Sequence, residues 1–510
     1  MKPRCIAYII WIVIALLGVV CVLVPDNGWR IAQWNLRFPT LSEALDLKKA
    51  SACLDSIGMD DRDGLFVDTV CTASNTDSLS SFNTLQDSAR IISHESVLDT
   101  NKIEITDVED LRQNLMAFYL ALDSADKMPV RVVHFGDSQI EEDRITNILR
   151  ENLQKTYGGG GVGLIPLHQT IPTRSIRQYL SMNGIIQSSQ AGPKRYLVYG
   201  PRSMRWTDDD KYGVMGQFAM IDSASIEGNQ KVHLHVEPAN KKLHSHNYFN
   251  RVRVLSDSID GWISARDTIF YSDSLESLGR YFYVPDSTSR CDIHLQGKGR
   301  VFGVSLETDK GVIVDNIPMR GCSGSIFTRI DSSQLTAFFS ETNTRLIILQ
   351  YGGNMIPYSD THGIVGNYAS TIMRQQVRYL RSCAPQASIL FVGPSDMSTN
   401  IDGTMTTYPL LPYLDQMLRK MAQDENIAYW SLYRAMGGYN SMVTWEKKGL
   451  AGADHVHFTR AGANKAGKML VNWIEEWNSN RKLMPPDTIS VANLDTIRNQ
   501  DSIQLMQVAK

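Results

Sequence analysis

Three residues of this sequence could together perform nucleophilic catalysis. Ser138 lies in the stretch "HFGDSQ", and Asp454 and His457 lie in "GADHVHFTRAG", residues 452–462. A serine hydroxyl becomes a strong nucleophile only when a base takes its proton. In a D-x-x-H turn the aspartate can reach imidazole Nδ1 and leave Nε2 free for a serine. The residue types and spacing therefore predict a triad of Ser138, His457 and Asp454.

Both stretches also have plainer interpretations. Ser138 could be only a helix N-cap, with Glu141 three residues later completing a capping box. His455 and His457 could be a metal pair, but a metal site needs further ligands. No cysteine or carboxylate cluster stands at metal spacing from the other H-x-H pairs, His233/His235 and His244/His246. We therefore predict no metal and no cofactor. His455 is interpreted as a bystander, because an extended loop would point it away from Asp454.

Strand-like and helix-like segments alternate around these stretches. Residues 130–135 are β-branched and apolar, and residues 140–154 carry apolar side chains at helical spacing. Further strands are predicted at 344–354, in "ASILFVGPS" and in "AYWSLYRAM", with helices between them and at 463–477. Such alternation predicts a three-layer α/β domain with a parallel sheet. Ligands bind beyond the carboxyl ends of parallel strands, which is where Ser138 lies.

Residues 171–299 break this alternation. Short alternating segments such as "KVHLHVEP" and "CDIHLQGKGRVFGVSLE" are separated by turn residues at hairpin-like intervals. They predict an inserted all-β domain, sandwich-like. Five aromatic residues there could stack on sugars or simply belong to the core: Tyr179, Tyr196, Tyr199, Trp206 and Tyr212.

An acyl-transfer site also needs hydrogen-bond donors for the oxyanion that develops in the transition state. Two candidates follow predicted strands: Gly324 in "RGCSGSIF", through its backbone N–H, and Asn354 in "QYGGN", through its side-chain amide. Gly321 competes with Gly324, since both glycines belong to the same turn.

The order of these blocks resembles the SGNH, or GDSL-type, hydrolase family over about 128–170 and 300–480. The resemblance implies a flavodoxin-like α/β fold, with Ser138 as nucleophile, His457 as general base and Asp454 as its orienting partner. It also implies an oxyanion hole formed by Ser138 N–H, Gly324 and Asn354. One departure is Gln139, which stands where leucine is usual in the family's motif.

A narrower resemblance joins "HFGDSQ", "YGGGGVGLIP", a β insertion and "DHVHFTRAG". Together with an N-terminal anchor, these blocks are similar to the exported bacterial branch of the family that includes peptidoglycan O-acetylesterases. The resemblance implies an acetylated cell-envelope glycan as substrate and a carbohydrate-binding role for the insert. Two alternatives stay open: a polysaccharide O-acetyltransferase that uses the same triad, and a non-catalytic glycan-binding envelope protein.

The N-terminus predicts a membrane anchor. Lys2 and Arg4 precede an uncharged apolar run at 5–24. At about 1.5 Å per helical residue, this run can cross a hydrocarbon core of roughly 30 Å. We expect a single span in a bacterial inner membrane with the rest of the chain in the periplasm. A cleaved signal peptide is the alternative.

Composition sets the remaining expectations. The net charge of −3 over 510 residues argues against a nucleic-acid partner. Seven cysteines without a CxxC motif predict no disulfide framework. The expected organisation is an anchor at 1–25, a polar stalk at 26–105, the α/β domain at 106–170 and 300–481, the β insert at 171–299 and a polar tail at 482–510.

Overall fold

The structure is a computed structural model that describes residues 29–31, 34–36, 111–188, 192–200, 204, 207–221, 231–239, 248–272 and 275–483. The chain divides into two compact units, residues 1–102 with 200–203, and residues 103–199 with 204–510. In the first unit, the strands Trp29–Ile31 and Trp34–Leu36 pair antiparallel. The second unit carries every predicted site residue.

The predicted anchor lies outside the described residues, as do most of the predicted stalk and nearly all of the tail. Cys53 and Cys71, which at most could pair with each other in an oxidising compartment, lie outside them as well. Within the described part of the chain, no helix has the length and apolar character needed to span a bilayer.

A five-stranded parallel sheet forms the centre of the second unit, in the order Gly311–Pro318, Pro129–Gly136, Thr344–Gln350, Ser388–Val392, Ala428–Trp430. Counted along the chain this is order 2-1-3-4-5, which is the flavodoxin-like arrangement. The prediction of an α/β fold with a parallel sheet is confirmed.

The strand before the nucleophile, Pro129–Gly136, is called the serine strand. All its residues after Pro129 are buried, as expected for a parallel strand covered on both faces. Val130 and Val132 pack in one core with Leu149 and Leu470. Phe135, on the other face, contacts Phe327 with ring centroids 5.0 Å apart. The alternation of side chains therefore builds two separate apolar layers around the sheet.

Helices cover both faces of the sheet. The α-helices are Met116–Leu122, Thr146–Tyr157, Ser332–Glu341, His362–Asn367, Arg374–Cys383, Leu411–Asp424, Leu432–Met436, Ser441–Lys447 and Arg460–Arg481. Shorter 3₁₀ turns are Leu111–Leu115, Ser138–Asp143, Phe327–Arg329 and Gly353–Tyr358, and Tyr368–Met373 is a π-helical turn. The predicted helix at 463–477 extends in both directions to Arg460–Arg481.

The helix after Ser138 begins later than predicted. A 3₁₀ turn occupies Ser138–Asp143, and the α-helix starts only at Thr146. The break occurs because Glu142 and Asp143 both adopt left-handed backbone, with φ of 60° and 59°. Two successive non-glycine residues in this region cannot continue a right-handed helix.

Two antiparallel sheets lie between the first two parallel strands. One has seven strands: Gly163–Ile165, Arg195–Leu197, Gln217–Ile221, Phe249–Ser256, Leu275–Glu276, Gly279–Thr288 and Gly299–Glu307. The other has six: Ile176–Met182, Ile185–Ile186, Lys231–Pro238, Asp260–Ala265, Thr268–Tyr271 and Cys291–Gln296. A two-stranded hairpin, Ser398–Ile401 with Thr404–Thr407, lies further along the chain.

The two antiparallel sheets share one apolar core and form a β sandwich. Leu234 and Ile293 of the six-stranded sheet lie in the same buried cluster as Val252 and Val304 of the seven-stranded sheet. Pairing extends past the predicted limits of 171 and 299, because Gly163–Ile165 pairs with Gly299–Glu307. A three-residue strand after a glycine run has no alternation that sequence patterning can detect.

A buried ion network joins the sandwich to the parallel sheet. Arg131 of the serine strand donates to both carboxylate oxygens of Asp315 at 2.8 Å and also pairs with Glu307 of the sandwich. Burial opposes ionisation of Glu307, but Arg131 and Arg253 outweigh burial and hold its pKa below the usual range. The two parts are thus joined by charges that water does not reach.

Candidate active site

The register of the parallel strands brings the predicted site residues to one edge of the sheet. Gly136 at the end of the serine strand pairs with both Pro318 and Gln350. The segments that follow these positions contain Ser138, Gly324 and Asn354, so all three residues emerge at the carboxyl ends of the strands, as predicted.

Ser138, His457 and Asp454 form a continuous hydrogen-bonded chain. Ser138 Oγ lies 2.9 Å from His457 Nε2, and His457 Nδ1 lies 2.7 Å from Asp454 Oδ2. With the proton on Nδ1, Nε2 faces the serine as an acceptor. This geometry allows His457 to take the serine proton.

The loop around Asp454 holds this carboxylate in its ionised form. Asp454 Oδ1 accepts backbone N–H groups of Val456 and His457, each at 3.1 Å. Partial burial opposes ionisation, but the hydrogen bonds from the His457 side chain and from the two backbone groups outweigh it. The pKa of Asp454 is therefore lowered from its ordinary value.

His455 has a backbone role that differs from the prediction. It was expected in an extended loop, but its φ is 53°, so it adopts left-handed backbone and turns the chain. Its carbonyl oxygen accepts the Ser398 N–H at 3.1 Å. The turn lets Asp454 and His457, three residues apart, face each other.

The closing helix starts directly after the base. Thr459 is its N-cap and accepts the Gly462 N–H at 3.3 Å, while its hydroxyl donates to the Gly449 carbonyl oxygen at 2.8 Å. A Cβ at position 462 would lie 1.8 Å from the Leu450 carbonyl oxygen, so only glycine permits this close approach. On its C-terminal side, the loop that carries His457 is therefore held in place by the Thr459 hydrogen bonds and by the packing of Gly462 against Leu450.

Asp137, the residue before the nucleophile, organises the site. It is the N-cap in place of Ser138, and its Oδ1 accepts the Gln139 N–H at 2.9 Å. Its Oδ2 accepts the Asn354 side-chain amide at 3.0 Å. Burial raises the pKa of Asp137 to about 6, although the Gln139 N–H and the nearby His457 partly offset the effect. Because its hydrogen-bonding partner Asn354 is distant in sequence, no local pattern revealed this role.

Gln139 joins the segment that contains Ser138 to the loop that carries His457. Its side-chain amide donates to the Val456 carbonyl oxygen at 2.7 Å and to Ser395 Oγ at 3.2 Å. The side chain is buried. A leucine here could fill the same space but could not make these bonds, which gives a physical reason for the departure from the usual motif.

The two predicted oxyanion donors are both engaged by protein acceptors. Asn354 Nδ2 donates to Asp137 and, at 3.1 Å, to the Cys322 carbonyl oxygen. The Gly324 N–H donates to Cys322 Sγ at 3.2 Å. Gly324 has φ of 91°, and a Cβ there would meet the Tyr351 ring at 2.8 Å. Gly324 is therefore required for packing, whereas its N–H would have to leave the sulfur in order to bind an oxyanion.

A small cavity lies beside the serine. Its volume is about 20 Å³, and its lining includes Ser138, Asn354, Met397 and Val456. Gly324 lies outside that lining. Asn354 is thus the predicted side-chain donor that shares a cavity with the nucleophile.

The other histidine pair in the described residues has a polar partner. His233 Nε2 and His235 Nδ1 both lie within hydrogen-bonding distance of Asp292 Oδ1, at 2.8 and 2.9 Å. His244 and His246 lie outside the described residues. In the part of the chain that the structure describes, no group of three or more His, Cys, Asp or Glu residues is arranged to hold a metal ion.

The fold can be compared with solved structures. A structure of a peptidoglycan O-acetylesterase matches with a TM-score of 0.56 and 20% sequence identity, covering 72% of this chain and 96% of that one. This chain shares the fold of that esterase. The resemblance predicted from the sequence motifs is confirmed at the level of fold.

Two other esterases match shorter parts of the chain. An acetyl xylan esterase matches at 15% identity and a TM-score of 0.24, covering 31% of this chain and 79% of that one. A family 3 carbohydrate esterase of Clostridium thermocellum matches at 12% identity and a TM-score of 0.24, covering 32% and 71%. No protein-family model and no curated protein matches the chain.

Proposed function

We propose that this protein is a serine esterase that removes O-acetyl groups from a cell-envelope glycan. The observation that carries the proposal is the hydrogen-bonded chain from Ser138 Oγ through His457 to Asp454. A serine, an imidazole and a carboxylate in this order are the parts needed for acyl transfer through a covalent intermediate.

In the first half of the reaction, His457 Nε2 takes the Ser138 proton while Oγ bonds to the acetyl carbonyl carbon. The oxyanion that forms is stabilised by the Ser138 N–H and by the side-chain amide of Asn354. To bind it, the amide gives up its hydrogen bond to either Asp137 or the Cys322 carbonyl oxygen. His457 then gives the proton to the sugar oxygen, the C–O bond breaks, and the deacetylated sugar leaves acetyl-Ser138. His457 then deprotonates a water, whose oxygen bonds to the acetyl carbon. The bond between that carbon and Oγ breaks, acetate leaves, and His457 returns the proton to Ser138 Oγ.

The cavity beside Ser138 supports an acetyl group as the acyl part. Its volume of about 20 Å³ exceeds only slightly the roughly 10–15 Å³ that a single water needs. A space of this size accommodates a small acyl group such as acetyl. The glycan part of the proposal is supported by the shared fold with a peptidoglycan O-acetylesterase.

The test is acetate release from O-acetylated peptidoglycan and from a chromogenic acetyl ester by the wild-type protein and Ser138→Ala. We expect the variant to lose several orders of magnitude in kcat. Ser382→Ala, a change at an exposed serine, is the matched control and should retain wild-type activity. Equal rates for wild type and Ser138→Ala would refute the serine mechanism. Transfer of acetyl to an added oligosaccharide, with little free acetate, would instead identify an acetyltransferase.

A second measurement tests the oxyanion donor. Asn354→Ala should lower kcat by about 10²–10³-fold, as removal of one such donor does elsewhere. An unchanged kcat would remove Asn354 from the mechanism and leave the Ser138 and Gly324 N–H groups as the candidates.

We also propose that the apolar run at 5–24 anchors the protein in a bacterial inner membrane with the esterase in the periplasm. The proposal rests on the length and flanking charges of that run. Membrane fractionation should recover the full chain with the membrane and a chain lacking residues 1–25 in the soluble fraction. Recovery of both in the soluble fraction would overturn it.

A further inference from the structure

A second and much larger cleft lies where the sandwich meets the segments that carry the triad. Its volume is about 610 Å³, within the range of ligand-binding clefts. Three arginines line it, Arg174, Arg177 and Arg460, together with polar side chains and Tyr179, whereas no aspartate or glutamate belongs to the lining. We call it the arginine cleft.

The positive charges of the arginine cleft are only partly neutralised. Glu142 lies 3.9 Å from Arg174 Nε but is closer to Arg144, at 3.2 Å. Arg460 is exposed and makes no hydrogen bond or ion pair with any residue of the described part of the chain. Arg174 Nη1 is buried without an acceptor there. Arg177 has a partly exposed ion pair with Glu237 at 3.8 Å, so Arg174 and Arg460 carry most of the charge that is left to attract an anionic ligand.

The electrostatic environment of Arg174 also favours an anionic ligand in the arginine cleft. Burial lowers its pKa, Glu142 acts in the opposite direction, and the nearby Arg144 and Arg460 lower the pKa further. Arg174 and Arg460 are thus close enough to repel each other. A carboxylate between them would relieve that repulsion and supply acceptors.

The cleft is tied to the catalytic segments. Arg460 follows His457 by three residues, so their Cα atoms are within about 11 Å of each other. The Arg174 N–H donates to the Glu142 carbonyl oxygen at 3.1 Å, four residues after Ser138. The neighbouring Ser175 hydroxyl donates to Asp143, which Arg150 also binds at 2.5 Å. The cleft wall is therefore hydrogen-bonded to the segment that follows the nucleophile.

We propose that the arginine cleft binds a carboxylate of the same polysaccharide whose acetyl ester reaches Ser138, through Arg174 and Arg460. This inference rests on the proposed esterase function and narrows its substrate to an acidic glycan. The carboxylate belongs either to a uronic acid of the chain or to a peptide attached to it. A guanidinium binds both in the same way, through paired N–H donors.

The experiment compares three acetylated polymers with the full-length protein: xylan, which is neutral, galacturonan, which carries sugar carboxylates, and peptidoglycan, which carries peptide carboxylates. Arg460→Gln and Arg174→Lys are measured beside wild type. Arg378→Gln, which alters an exposed arginine on another helix, is the matched control. The readout is the ratio of kcat/KM on an acidic polymer to that on xylan.

We expect Arg460→Gln and Arg174→Lys each to lower this ratio about ten-fold, mainly through KM. The first removes a positive charge, and the second removes the paired N–H donors of a guanidinium. Arg378→Gln should leave it unchanged. A fall for galacturonan as well as peptidoglycan indicates recognition of any carboxylate, and a fall for peptidoglycan alone indicates the peptide. An unchanged ratio would overturn the proposal, including the case in which kcat/KM falls equally on xylan and on the acidic polymers.

Failure of the esterase function is distinguished by a binding measurement. Ser138→Ala protein is titrated calorimetrically with galacturonate oligomers and with peptidoglycan fragments, with and without Arg460→Gln. Binding that Arg460→Gln weakens about ten-fold would support the arginine cleft even if wild type releases no acetate. No binding of either ligand, or binding that Arg460→Gln leaves unchanged, would overturn it.

Discussion

Gln139 Nε2 lies 2.7 Å from the carbonyl oxygen of Val456 and donates a hydrogen bond to it. The residue beside the nucleophile thus holds the residue beside the base, across 317 positions of sequence. Because Ser138 and His457 are carried by different segments, their separation depends on bonds of this kind. Gln139 is therefore a positioning residue.

Replacing Gln139 by leucine should lower kcat/KM about ten-fold or more, chiefly through kcat, because His457 loses its register with Ser138 while binding groups stay in place. The matched control is Gln154→Leu. Gln154 is also buried, and its side-chain amide also donates two bonds, in this case to the carbonyl oxygens of Gly161 and Val312, both at 3.0 Å. Steady-state kinetics and unfolding by urea should show similar destabilisation in both variants and loss of activity in Gln139→Leu alone. Equal kinetic effects would reduce Gln139 to a stability role.

The two histidines of the D-H-V-H turn should respond in opposite ways. His457→Asn removes the base and should cost several orders of magnitude in kcat. His455→Asn should stay within about two-fold of wild-type kcat/KM, since asparagine tolerates the left-handed backbone found at this position. His455→Val should lower the free energy of unfolding by about 1–2 kcal/mol, because a β-branched residue is strained there. Hydrolysis rates and thermal unfolding check the three variants, and the reverse order of activities would contradict the triad assignment.

Stability should depend on pH through Asp137. Burial raises the pKa of its carboxyl from 3.8 to about 6, so the folded state binds the proton more tightly than the unfolded state. The stability that this group contributes is complete below about pH 4 and is lost as the pH rises through 6. Asp137→Asn removes that loss, so between pH 4 and pH 7 the variant should gain about 2 kcal/mol relative to wild type.

Urea unfolding of both proteins at several pH values measures this difference. Asp402→Asn, a change at an exposed turn position, is measured beside them as the matched control. A flat difference for Asp137→Asn would show that its carboxyl titrates alike in the folded and unfolded states.

The ion network between the serine strand and the sandwich should be sensitive to loss of its cation. Arg131→Met leaves Glu307 and Asp315 buried without their main partner, and should cost about 3–5 kcal/mol in the free energy of unfolding. Lys420→Met, which breaks the exposed pair with Asp424, should cost less than about 1 kcal/mol. Denaturant unfolding measures both. A similar loss of unfolding free energy in the two variants would mean that the buried network stabilises the fold no more than an exposed ion pair does.

Local patterns predicted much of the α/β architecture. The β-branched run of the serine strand and the helical spacing before Trp477 each depend on neighbouring residues, so their periods appear in the sequence. The predicted start of the helix after Ser138 was wrong, because left-handed backbone at Glu142 and Asp143 interrupts the helix that the apolar spacing predicted. The charged Arg131 within a mostly apolar strand was a signal of a buried ion pair, but its partners follow 176 and 184 positions later.

The site divides in the same way. Asp454 and His457 are three residues apart, so a single turn can bring them together, and the sequence by itself determined that pair and the strand-to-helix setting of Ser138. Only the tertiary structure decided that His457 reaches Ser138 and that Asp137 accepts a hydrogen bond from Asn354. The same holds for the bond from Gln139 to the loop that carries His457, and for the cleft that Arg174 and Arg460 line together. The reason is physical: these contacts join segments that are distant along the chain, and only sheet order and register, set by packing of the whole core, bring such segments together.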